Sequence, residues 1–110
     1  MSTTTPEVTV FDLARALTGD ATMVDVREHR EYVRGHVPGA LLVPMGQVPA
    51  RLGEIDGSGR VYVVCASGHR SRVAADVLRT AGYDAVSVAG GTDGWHRAGG
   101  PLVTGSRPTA

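Results

Sequence analysis

The chain has 110 residues, 42% hydrophobic and 20% charged, with 11 basic and 11 acidic side chains that cancel to no net charge at neutral pH. That size describes one domain able to bury a core without disulfides or metals, and the charge balance excludes a strong electrostatic footprint for nucleic acid or an anionic membrane surface. Every basic residue is Arg, which excludes a lysine Schiff base and a P-loop lysine.

The N-terminal stretch MSTTTPEV has neither a charged start nor an apolar centre, so no secretory leader is expected. Residues 1–6 and 104–110 are expected to be loose ends around one domain over 7–103. Thr9 and Asp12 have the spacing of a capping box, with Asp in place of Glu or Gln. Val10, Leu13, Ala14 and Leu17 then recur at helical spacing, and Gly19 closes that helix. Met23 to Val26 forms a short strand, Glu28 to Arg34 a polar helix or turn ended by Gly35, and Ala40 to Pro44 a third extended run. A weak helix is expected around Gln47 to Leu52, with Pro49 tolerable only near its first turn. Val61 to Val64 is the most strand-like segment. Val73, Ala74, Val77, Leu78 and Ala81 make a helical stripe over 71–81, with Arg72 and Asp76 outward and Gly82 at C′. Ala85 to Ala89 is another strand, and Gly90 to Trp95 turns into a last short helix. Strands alternating with helices point to an α/β fold, a mainly parallel sheet covered on both faces.

The only cysteine, Cys65, ends the apolar run Val61 to Val64 and opens a short loop before the helical stripe. Ligand sites of open α/β sheets lie at the C-terminal ends of strands. A helix start, nearby cations and successive backbone N–H groups lower a thiol's pKa and cradle an anion. Gly68 allows the backbone to turn, Arg70 adds a fixed charge of fork geometry, and Ser67 and Ser71 add hydroxyls. No acidic residue lies between Cys65 and Ser71. The competing interpretation is a small buried hydrophobe; the Gly, Arg and Ser that follow favour a reactive thiol. His69 is a candidate hydrogen-bond donor or proton holder, set against simple solvation of a loop histidine.

The loop Cys65-Ala66-Ser67-Gly68-His69-Arg70-Ser71 resembles the C-x-x-G-x-R-S active-site loop of the rhodanese-like sulfurtransferases. Asp25-Val26-Arg27-Glu28 is similar to that family's D-V-R-E segment, Gly35 to Ala40 to its G-H-I-P-G-A turn, and Gly90-Gly91 with Trp95 to its G-G-x-x-x-W. The four pieces stand in the family's order, and the resemblance runs from about residue 8 to 103 and is to the single-domain form. It implies a rhodanese-like fold with a five-stranded sheet. It also implies transfer of sulfane sulfur from thiosulfate, a polysulfide or a persulfide to cyanide or a thiol through a Cys65 persulfide. The amides of Ala66, Ser67, Gly68, His69, Arg70 and Ser71 would cradle that persulfide. No metal or organic cofactor is implied.

Asp25 and Arg27 fall at a strand end beside the loop. Asp25 is expected to satisfy backbone groups or pair with an Arg, and Arg27 is a candidate for substrate contact. His36, Pro38 and Gly39 are expected to make a rigid turn, Gly90 and Gly91 to let backbone approach under the loop, and Trp95 to anchor packing. The partners expected are a small sulfur donor, a thiol or cyanide acceptor and a sulfur-relay protein, with no nucleic acid and no membrane. The longest apolar runs, roughly six residues, fall far short of a span, and the location expected is cytoplasmic.

Two other classes compete. A sulfur carrier or regulatory binding module would not turn over small donors. Phosphatases and arsenate reductases resemble the same fold but place five residues between Cys and the anion-binding Arg. Here four separate Cys65 from Arg70, and Val64 stands where phosphatases commonly have His.

Overall fold

A computed structural model describes residues 4–109. The expected loose start therefore lies partly outside the described residues, as does Ala110. In chain order the elements are β1 (Glu7–Val8), α1 (Val10–Ala16), β2 (Thr22–Asp25), α2 (His29–Arg34), β3 (Leu41–Leu42), 3-10 turns at Met45–Gln47 and Pro49–Glu54, β4 (Val61–Val64), α3 (His69–Thr80), β5 (Ala85–Val88) and α4 (Gly91–Arg97).

The strands form one sheet in the order β1-β5-β4-β2-β3, and every neighbouring pair is parallel. The chain leaves β4 towards β5 but leaves β2 towards β3, so the strand order reverses between β4 and β2. Asp25 pairs in register with Val64 there, which brings the residues after both strands to one crevice, where such sheets bind ligands.

Side-chain alternation along the strands divides the core between the two faces. Val61 and Val63 of β4 pack with Val24, Ala74, Ala75 and Leu78 on the α3 side. Val64 packs with Leu13, Met23, Tyr32, Val88 and Trp95 on the other. Burial on both faces explains why β4 is apolar throughout rather than alternating.

The Thr9 capping box forms: Thr9 Oγ1 accepts from the Asp12 amide at 3.0 Å, and Asp12 Oδ2 accepts from the Thr9 amide at 2.9 Å. Three elements differ from expectation: β1, α3 and the weak helix expected around Gln47 to Leu52, which is two 3-10 turns instead. β1 has no sequence signature, because two residues are too few to show a period; it is held by pairing with β5. The α3 helix starts at His69 rather than 71, and Val73 of its expected apolar stripe is 50% exposed. Ala74, Ala75 and Leu78 are buried against the sheet, with Val77 partly buried beside them.

Of residues 104–110, expected as a loose end, 104–109 are described. The Gly105 amide donates to the Val33 carbonyl and the Gly39 amide to the Pro108 carbonyl, both at 2.9 Å. Among the described residues, no helix is long and apolar enough to cross a membrane.

Candidate active site

Cys65 follows the last residue of β4 and is 1% exposed. The loop bends back on its sulfur because Gly68 adopts φ +107°, a conformation that L side chains rarely take. The Gly68 amide then donates to Cys65 Sγ at 3.1 Å, and Sγ lies 3.4 Å from Ser71 Oγ. Ser71 Oγ is itself held by Ser87 Oγ of β5 at 2.7 Å. Burial pushes the Cys65 thiol up. The Ser71 hydroxyl and the amides of Ser71, Gly68 and Ser67 pull it down, and the net result is a pKa below that of an ordinary thiol.

The loop rests on the start of α4. The Cys65 carbonyl accepts from the Thr92 amide at 2.8 Å, and the Ala66 carbonyl from the Asp93 amide at 2.9 Å. Those bonds turn the carbonyls away and leave loop amides for the sulfur. Gly91 makes the approach possible: a Cβ there would sit 2.4 Å from the Cys65 oxygen. Gly91 thus allows the expected close approach; at Gly90 an added Cβ would meet nothing closer than Gly94 Cα at 3.5 Å, and its φ of +83° is what favours glycine there.

Asp25 is fully buried and Arg27 is 6% exposed. Arg27 Nε donates to Asp25 Oδ1 at 3.0 Å and Nη2 to Oδ2 at 2.8 Å, a two-pronged pair. Asp25 Oδ1 also accepts from the Arg27 amide, and Arg27 Nη2 donates to the Gly35 carbonyl. Arg70 Nη1 and Nη2 both donate to the Glu31 carboxylate, at 2.8 and 2.9 Å. His69 lines a separate cleft with Arg72 and Asp76, its Nδ1 3.4 Å from Arg72 Nη2. Ser67 is exposed and Ala66 half-buried.

A cavity of about 450 Å³ lies beside the loop. Ala66 reaches it from the loop, Arg27, Glu31 and Arg34 from the α2 side, and Thr92, Asp93 and Arg97 from α4. Glu31, Arg34, Thr92 and Arg97 were not singled out by the sequence. Only Thr92 carried a signal there, its place directly after the Gly-Gly pair. Among the described residues no cluster of His, Cys, Asp and Glu could hold a metal ion.

Residues 10–98 match the family described as the rhodanese-like domain. A sulfurtransferase of Allochromatium vinosum is 39% identical over 87 residues, covering 78% of this chain and 81% of that protein. A Bacillus subtilis protein named for a sulfur-carrier role is 32% identical over 93 residues, covering 82% of this chain and 50% of that protein. The chain thus spans about half the length of that relative, and 42% of a further one. The crystal structure of a rhodanese-related protein from Thermoplasma volcanium superposes with a TM-score of 0.83 at 28% identity, covering 89% of this chain and 97% of that one.

Proposed function

The chain belongs to the rhodanese-like domain family, and from that premise we propose that it is a sulfurtransferase carrying sulfane sulfur as a persulfide on Cys65. The Cys65 thiolate attacks the outer sulfur of a donor such as thiosulfate, a polysulfide or another persulfide. The donor's S–S bond breaks, and its electron pair leaves with the remainder, sulfite in the case of thiosulfate. A thiophilic acceptor, cyanide or a thiol, then attacks the outer sulfur of the persulfide and returns Cys65 to the thiolate, a double displacement. Cys65 is the only cysteine of these 110 residues, so no second thiol within them resolves the persulfide.

One observation carries this proposal: a buried sulfur faced by the Gly68 amide at 3.1 Å and the Ser71 hydroxyl at 3.4 Å, groups that favour its thiolate. An inert core cysteine has no such set of donors. Arg70, committed to Glu31, acts in this account by fixing the loop to α2 rather than by gripping a donor.

Thiosulfate:cyanide sulfur transfer by the wild type and by Cys65→Ser tests the proposal. Turnover that disappears in the variant supports it; turnover that survives contradicts it. The near-complete burial of Cys65 favours a second reading, a carrier loaded by a partner protein that opens the loop. That reading predicts a persulfide that persists without turnover of small donors.

A further inference from the structure

The strand β5 reads Ala-Val-Ser-Val, and all four residues are buried. A strand covered on both faces favours apolar side chains, and a buried hydroxyl is costly unless it is hydrogen-bonded. Ser87 therefore stands where packing alone would favour an apolar residue. Ala85, on the same face of the strand, packs in the core on the α3 side together with Cys65. Ser87 pairs in register with Val63 of β4, two residues before Cys65. It meets Ser71 of the first turn of α3: the two Oγ atoms lie 2.7 Å apart, and both residues are 0% exposed. Among the described residues, Ser71 Oγ is the one hydrogen-bond partner of Ser87 Oγ.

A hydroxyl has one hydrogen to give and lone pairs to receive others. Ser71 stands between Ser87 Oγ at 2.7 Å and Cys65 Sγ at 3.4 Å, so its single hydrogen serves one of them at a time. With a proton on Sγ, the thiol donates to Ser71 and Ser71 donates to Ser87. With a thiolate the order reverses: Ser71 donates to Sγ, and Ser87 donates to Ser71. In the second arrangement each hydroxyl polarises the next. The reversal needs only the two hydroxyls to rotate; neither gives up its proton.

We propose that Ser87 is a positioning residue for sulfur transfer: it turns the Ser71 hydroxyl onto Cys65 Sγ as that sulfur becomes the leaving group, and so speeds discharge of the persulfide. The inference rests on the sulfurtransferase reading above. In the persulfide, Sγ is bonded to carbon and to the outer sulfur and carries no negative charge, so the Ser71 hydrogen stays with Ser87. The acceptor, a thiolate or cyanide, forms a bond to the outer sulfur. The bond from Sγ to the outer sulfur breaks, and its electron pair stays on Sγ. Ser71 then donates to the new thiolate, and Ser87 donates to Ser71 in turn. The acceptor carries the sulfur away, and no oxidant or reductant is consumed. A thiolate stabilised in this way leaves faster, whereas in loading the same stabilisation makes it a weaker nucleophile. Once the thiol is ionised, Ser87 therefore acts in opposite senses on the two half-reactions.

Ser87→Ala tests this, alongside Ser71→Ala and the double variant. Loading is followed with thiosulfate at a pH where the thiol is ionised in every variant. Discharge is followed as the single turnover of the isolated persulfide with cyanide. Ser87→Ala should slow discharge about threefold, less than loss of the direct hydrogen bond to sulfur, and should leave loading undiminished. Its iodoacetamide pH profile should move to higher pH. In the Ser71→Ala background the same substitution should change neither discharge nor profile. The charges around the cysteine, Arg70 paired to Glu31 and Arg27 paired to Asp25, are left in place by these substitutions. Equal slowing of loading and discharge would make Ser87 a packing residue only and overturn the proposal. An unmoved profile overturns it too, as does an effect that persists without Ser71. A wild type that takes up no sulfur would instead refute the underlying reading, and the alkylation profile would still test Ser87.

Discussion

The Glu31 carboxylate holds the Arg70 guanidinium with two parallel hydrogen bonds, at 2.8 and 2.9 Å, and so ties α2 to the first turn of α3 behind the cysteine loop. The pairing decides what each residue does. A guanidinium occupied on two nitrogens is a fixed strut for the loop, and the carboxylate is kept ionised far into acid.

The Arg70 guanidinium holds the Glu31 carboxyl down to about 2 from an ordinary 4.5, against the opposing effect of burial. A carboxyl depressed on folding contributes stability that is fully present above its unfolded pKa and is lost as pH falls through the folded value. The window here is therefore about pH 4.5 down to about pH 2. With both side chains near 30% exposed, solvent screening reduces the contribution to about 1 kcal/mol. Urea midpoints should show wild type more stable than Glu31→Gln at pH 6, with the gap closing towards pH 2. A gap that stays constant with pH would contradict the pairing.

Ser71→Ala should slow the alkylation of Cys65. It removes the hydroxyl that faces Sγ at 3.4 Å and leaves Ser87 Oγ without its partner. Burial, the largest influence on the thiol, is then less well opposed, and the pKa rises. Iodoacetamide reaction at pH 7 should fall about fivefold, the equivalent of about 1 kcal/mol for one hydrogen bond. The pH profile should move to higher pH. A profile that does not move would mean that the amides alone hold the thiolate.

Gly91→Ala should distort the loop. Its φ of +56° and the Cys65 and Ala66 oxygens at 2.4 and 2.7 Å from a new Cβ leave no room without moving backbone. The expected loss is about 3 kcal/mol or more, with sulfur uptake falling as well. Gly39→Ala is the control: its φ is +95° but nothing lies within 4 Å of the added Cβ, so only the conformational cost of about 1 kcal/mol applies. Equal losses for the two, measured by denaturant titration, would refute the close approach of α4 to the loop.

His36 clasps the tail. It stacks on Tyr32 with ring centroids 3.6 Å apart. Its Nδ1 lies 2.8 Å from the Tyr32 carbonyl and its Nε2 2.8 Å from the Arg107 carbonyl. His36→Ala should destabilise the domain by about 3 kcal/mol, through a buried cavity and orphaned carbonyls. It should also speed proteolysis after residue 104. A tail equally resistant in wild type and variant would show that other contacts retain it.

Local sequence signals made the order of elements legible. Val61 to Val64 is apolar because two faces cover it, and Thr9 with Asp12 marks a helix start through contacts three residues apart. The cysteine loop was legible because Gly68 and Ser71 act on Sγ from within six residues. Its supports were not. Arg70 and Glu31 stand 39 residues apart, so no spacing announces that the guanidinium is taken. The spacing puts His69 in the loop, but α3 begins there and His69 lines a separate cleft with Arg72 and Asp76. That Thr92 Oγ1 is buried without a hydrogen-bond partner among the described residues is a property of packing, visible only once every neighbour is in place. β1 is a strand only because β5 lies beside it.

The central claim, that Cys65 carries sulfur between two partners, is tested most directly by intact mass. The protein is weighed after exposure to thiosulfate and again after cyanide, alongside Cys65→Ser. The account predicts one added sulfur atom on the wild type, removed by cyanide, and no addition to the variant. A wild type that takes up no sulfur, or a variant that takes it up equally, would contradict it.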